Sequence, residues 1–164
     1  LSSVDTEYTA ILTRWHAQLP ATLPAARRCY TDLGGGPFNR PQIPSVASIT
    51  TGNRTTTLQA AMWVRLNVSG IRSGARPLGI DPACKTRRIG IVTQVLYFPL
   101  GFGLDWALPV VDQLRAIFHR QSLSSGLVQF RDAEAPDWVE LPDDLAAGWG
   151  RVDCANAYWV TETV

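Results

Sequence analysis

Apolar positions at Tyr8, Ile11, Leu12, Trp15 and Leu19 recur at helical spacing and predict a first helix over about Val4–Gln18. Ser3 or Asp5 suits its start, and Pro20 limits its end. A short connector with Pro24 leads to a brief strand over Arg27–Leu33. Gly34–Pro41 is rich in Gly and Pro, which favour neither helix nor ladder, and reads as a loop with Phe38 as an apolar plug. Val46–Thr50 and Thr55–Gln59 have the composition of a Thr-rich hairpin around Gly52-Asn53.

The pattern then changes period. Met62, Val64, Leu66 and Val68 alternate with Arg65 and Asn67, as a half-buried strand requires. Ser69–Arg88 carries Gly70, Gly74, Pro77, Gly79 and Pro82 and is expected to be a long loop or arm, of the kind that tends to be functional. Ile89–Phe98 is apolar on both faces and is expected to be a central strand covered on both sides. Ala107, Val110, Val111, Leu114, Ile117 and Phe118 form the buried stripe of a second helix over about Asp105–Arg120, with Pro109 confined to its first turn. Leu127–Arg131 is a strand, Asp132–Leu145 an acidic excursion with Trp138, and Arg151–Val160 a last alternating strand. In that strand Val152, Cys154, Tyr158 and Val160 share one face, which Asn156 interrupts. The order implies one α+β domain, with two helices packed on a mainly antiparallel sheet that carries a long hairpin or arm. The extended segments are 34–61 and 69–88.

Composition changes this picture little. At 164 residues the chain fits one domain with one core. Ile89–Val111 is long enough to mimic a membrane span, but Gln94, Asp105 and the Pro99–Gly103 break argue for strand, turn and helix. Leu1–Asp5 has neither a basic nor an apolar region of a secretory signal, and an initiator is expected upstream of Leu1. The sequons at Asn53 and Asn67 therefore read as chance. Cys29, Cys84 and Cys154 are odd in number and widely spaced, so neither a zinc site nor a disulfide framework is expected; Cys154 reads as a small core residue.

Reactive chemistry is sparse. His16 reads as a surface residue, and His119 as a cation in the last turn of the second helix. No nucleophile elbow is present, and the acidic residues of 132–144 lack calcium-loop spacing. Cys29 stands near Arg27 and Arg28, but no His is close in sequence. Gly101-Phe102-Gly103 lies between a strand and a helix, yet the third Gly of a dinucleotide fingerprint is missing and Asp105 would repel phosphate. No catalytic residue, cofactor or metal is expected. Arg72, Arg76, Lys85, Arg87 and Arg88 make a basic segment that phosphates could meet. Without interleaved aromatics it is no stacking platform, and the 132–144 loop of another copy is an equally good partner.

The second half resembles the tail terminator proteins of long-tailed bacteriophages. The likeness rests on Arg88-Ile89-Gly90, the apolar strand, Phe98-Pro99-Leu100-Gly101-Phe102-Gly103, and the helix with Ala107, Asp112, Leu114 and Phe118. The strand Gly126–Arg131, Gly148-Trp149 and the late aromatic Tyr158 extend it. In the first half it adds the initial helix and Pro37-Phe38-Asn39-Arg40-Pro41. Segments 42–61 and 69–85 are longer than a minimal member needs. The resemblance implies a structural virion protein, assembled in the host cytoplasm, that forms a ring, usually a hexamer. Such a ring caps the tail tube, ends its polymerisation and meets the head–tail connector, with DNA passing through the lumen. No membrane partner is implied. Another neck-completion protein, a tube subunit, or a small nucleotide-binding enzyme using Gly101–Gly103 are the competing readings. The expected interface residues are Phe38, Arg40, Arg72, Arg76, Lys85, Arg87, Arg88 and Trp138.

Overall fold

The computed structural model describes residues 3–20, 23, 28–30, 62–77, 85–99, 107–139 and 149–163. Among these, α1 (Ser3–Gln18) and α2 (Leu108–Phe118) pack on one sheet. Its strands are β1 (Arg28–Tyr30), β2 (Trp63–Pro77), β3 (Lys85–Pro99), β4 (Ser122–Leu123), β5 (Val128–Ala133), β6 (Asp137–Val139) and β7 (Trp149–Thr163). The sheet order is β1-β2-β3-β7-β5-β4, with β6 beside β5 on the same flank of β7. All pairs are antiparallel except β1 with β2. The α+β class with two helices on a mainly antiparallel sheet is therefore the observed one.

The core lies between the helices and one face of the sheet. Ile11 and Trp15 of α1, Ala107 just before α2, and the five stripe residues within α2 are buried there. From the strands, Val64, Leu66, Val92, Leu96, Val152, Cys154, Tyr158 and Val160 join them in one cluster. Each such aliphatic side chain contributes roughly 1.5–3 kcal/mol on burial. Pro109 sits in the first turn of α2, as its missing N–H demands. Two side chains tie the helix ends to the rest. The Gln94 amide donates to the Leu114 carbonyl at 2.8 Å, and Arg14 Nε donates to the Ile117 carbonyl at 2.6 Å.

Several expectations are corrected. Ser69–Arg88 is not mainly a loop: β2 runs on to Pro77 and β3 begins at Lys85. The ladder between them holds the Gly- and Arg-rich backbone extended, and a register irregularity between Ile71 and Arg76 absorbs the poor strand formers. The central strand is covered in part on its second face, where Val95 is buried, Ile91, Thr93 and Tyr97 are half-buried and Ile89 is 38% exposed. The acidic excursion contains a strand, β6, paired with β7. The second helix is shorter than expected, leaving His119 and Arg120 beyond its end, with Arg120 at positive φ. The 34–61 segment, with its expected loop and hairpin, and the Gly101–Gly103 turn lie outside the described residues.

Strand length sets the shape of the surface. Strands β2, β3 and β7 have 15 residues each, about 50 Å if fully extended. Helix α1 has 16 residues and α2 has 11, about 24 and 16 Å. The helices cannot cover the whole ribbon. The ladders of β2, β3 and β7 run on past Gly90 and Val160, and this continuation forms an arm.

Candidate assembly surface

At the base of the arm, the core face is closed by a polar lock. Glu7 is 5% exposed and its carboxylate is shared. Oε1 accepts from the Tyr158 hydroxyl at 2.5 Å, and Oε2 accepts from Arg88 Nη2 at 2.8 Å. Burial, and then the bond to Glu7, push the Tyr158 hydroxyl well above its ordinary pKa. Gly90 lies directly beneath the Tyr158 ring. The Arg88-Ile89-Gly90 stretch thus carries both a partner for Glu7 and the space for Tyr158. Arg88 was expected at an interface, but its charge is engaged inside the chain.

The other face of the sheet is partly buried: Val95 is 1% and Trp63 3% exposed, whereas Arg87 and Ile89 are exposed. Near the core end, Trp63 stacks on Tyr97 with ring centroids 4.0 Å apart. On β7, Arg151 forms a two-pronged bond to Asp153, at 2.7 and 2.5 Å, which raises the Arg151 pKa. Toward the arm, Trp159 is paired in register with Ile89 on one side and Gln129 on the other. The guanidinium carbons of Arg87 and Arg131 lie 5.3 and 5.5 Å from the Trp159 ring, within cation–π range. Both arginines are exposed, and no carboxylate of the described residues forms an ion pair with either. Arg76 stands opposite Arg87 in register.

A third area lies at the opposite end of β7. Trp138 is 40% exposed and meets Phe98 edge-on, with centroids 5.9 Å apart. Asp137 and Glu134 beside it are exposed. Asp132 is engaged by Arg120, whose hydrogen bond lowers the Asp132 pKa and raises the Arg120 pKa. His119, expected as a helix-end cation, instead accepts the Ala133 N–H at Nδ1 over 3.1 Å. His16 is exposed as expected. Cys154 is fully buried, and desolvation pushes its thiol up to about 12, which suppresses the reactive thiolate.

The structure therefore separates the sequence-predicted residues. Phe38 and Arg40 lie outside the described residues; Arg72 and Arg76 are placed on β2 and Lys85 on β3 by backbone alone. Arg87 is on the second face of the sheet, Arg88 in the lock, and Trp138 on the far flank. Sequence reasoning missed Trp159, Arg131 and Glu7. Alternation about Tyr158 and Phe130 places the first two opposite the core, but only the register brings them to Arg87. Among the described residues, no group of three His, Cys, Asp or Glu is arranged to hold a metal. None of the described helices is long and apolar enough to cross a membrane.

No protein-family model matches the chain, and no curated protein resembles it in sequence. Solved structures do share its fold. One of them, whose name carries no functional description, covers 98% of this chain and 96% of its own, with a TM-score of 0.50 and 18% identity. At that identity the likeness speaks for the fold alone.

Proposed function

We propose that the chain is a structural subunit that works by ring assembly, most closely a tail-terminator-like protein that caps a phage tail tube at the junction with the head. The carrying observation is the ribbon of three 15-residue strands, longer than either described helix, whose arm we read as the part that a neighbour contacts. A small domain gains interface area through such an arm that its compact body lacks. A head-to-tail contact made by it closes into a ring when the rotation per subunit permits. The motif likeness around Arg88-Ile89-Gly90 and Tyr158 supports the same reading, since both ends of that motif converge on one lock.

In this reading the ring has no reaction centre, and its partners are copies of itself, the tube and the connector. Native mass measurement and electron microscopy of the purified protein, alone and with tail tubes, test it. The expected result is a single closed species of discrete mass seated on tube ends. An open filament would favour a tube subunit instead. A protein that stays monomeric at all concentrations, with or without tubes, would overturn the proposal.

A further inference from the structure

Strand register gathers the basic residues of the arm around one aromatic. Ile71, Ile89, Trp159 and Gln129 are successive partners across β2, β3, β7 and β5, and so hold one row of positions on the second face. Basic positions flank this row. On one side Arg87 stands opposite both Arg76 and Thr161, and Lys85 stands two positions further out, opposite Thr163. On the other side Arg131 reaches back to the same ring. Arg87 and Arg131 are exposed, and each touches Trp159 at cation–π distance. No carboxylate holds any of these positions. Asp132 nearby is engaged by Arg120, and Glu134, three residues beyond Arg131, forms no ion pair with it.

In sequence order the basic residues have no aromatic among them; the ladder supplies one. A guanidinium lying on a ring keeps its in-plane N–H groups for an anion. Bases stack on guanidinium planes as they do on rings. Ile89, 38% exposed beside Trp159, adds apolar surface to the row. A single nucleic-acid strand uses both parts at once, phosphates on the basic positions and bases against the row. A duplex keeps its base faces stacked inside, and a purely acidic peptide has none.

We propose that the second face of the arm binds single-stranded nucleic acid without sequence preference. The phosphates run along the positions of Arg76, Lys85, Arg87 and Arg131, and the bases lie against Trp159 and Ile89. The net charge of only +1 makes the attraction local to this face. The contact does not depend on the ring reading, and it leaves the arm's other face and its strand edges to a neighbour.

A fluorescent oligothymidylate of about 12 nucleotides, within the site size of such surfaces, tests it by anisotropy. Wild type should bind, and its affinity should fall roughly 50-fold between about 50 and 200 mM salt, as ~4 phosphate contacts to a single strand dictate. Arg87→Glu/Arg131→Glu should stay folded by circular dichroism, weaken binding about tenfold or more, and roughly halve the slope of log affinity against log salt. Arg87→Gln/Arg131→Gln, which adds no repulsion, should weaken binding in the same direction. Trp159→Leu keeps an apolar side chain but removes the ring, and should cost about tenfold with the salt slope unchanged. Absence of binding by wild type at the lower salt overturns the proposal. So does binding that both arginine variants leave unchanged, or a duplex of the same length that binds as tightly. Polyglutamate that displaces the oligonucleotide at equal charge also overturns it, and reassigns the face to an acidic protein. A ring that binds no oligonucleotide overturns this inference alone, and a monomer that binds it overturns only the ring reading.

Discussion

The Tyr158 ring lies across the backbone of Gly90, so close that a Cβ there would come within 2.3 Å of the ring Cζ. The ring is held from both sides: its hydroxyl is bonded to Glu7, and its face packs near Phe130, with centroids 5.2 Å apart. It has no room to retreat. Gly90→Ala is expected to destabilise the fold by about 1–3 kcal/mol, the usual cost of overpacking, read as a lower urea midpoint. Tyr158→Ala in the same background should recover the steric part of that loss. A Gly90→Ala protein as stable as wild type would show that the ring is not pinned.

Stability should fall at alkaline pH through two buried groups. The Tyr158 hydroxyl and the Cys154 thiol both have pKa values raised in the folded state, chiefly by burial. A raised value means that the unfolded chain loses its proton first. The stabilisation is then complete below the unfolded pKa and is lost as pH rises. For Cys154 the loss runs from its ordinary 9.0 up to about 12, and for Tyr158 it begins near 10.0. Urea unfolding at pH 8 and pH 10.5 should show the drop, and Cys154→Ala and Tyr158→Phe should each flatten it. Equal slopes in all three proteins would remove these groups as the cause.

Where one face packs on the two described helices, the sequence spells out the pattern. The alternation of Met62–Val68, the stripe of α2 and the β7 face with Asn156 inside it were legible for that reason. An arm at 69–88 was legible, but its strand ladder was not, because Gly and Arg replace apolar alternation there. Gly70, for example, has nothing within 4 Å of a hypothetical Cβ. Glu7 shows a different blindness. It stands four and eight positions before Ile11 and Trp15, on their stripe, but a carboxylate reads as solvated until Arg88 and Tyr158 are brought to it. The grouping of Trp159 with Arg87 and Arg131 was invisible for the same reason, since strand register is a tertiary fact.

Asn156 is fully buried on the core face, and neither amide atom has a hydrogen-bond partner among the described residues. A buried amide without a partner costs about 1–3 kcal/mol. Asn156→Leu keeps the branched shape of the side chain and removes both polar atoms. It is expected to raise the urea midpoint, by about 1 kcal/mol in unfolding free energy. A clear loss of stability would show that the amide is satisfied in solution and belongs to a polar network with Gln94, whose Oε1 also has no partner among the described residues.

Neighbouring arginines of the arm should answer the same substitution in opposite ways. Arg87 is exposed on the second face, against Trp159, whereas Arg88 is half-buried on the core face and bonded to Glu7. Arg87→Glu places a carboxylate in water and should change stability by no more than about 0.5 kcal/mol, as surface substitutions do. Arg88→Glu sets a second carboxylate against Glu7, which is only 5% exposed. Breaking such a pair costs about 3–5 kcal/mol when it is fully buried. Arg88 retains 29% side-chain exposure, so solvent screens the repulsion and about 2 kcal/mol is the better expectation. Thermal unfolding of the two variants side by side decides the point. Glu7→Gln combined with Arg88→Glu should recover part of the loss by removing one of the facing charges. If both single variants melt with wild type, Arg88 is a surface charge after all and Glu7 is held by Tyr158 alone.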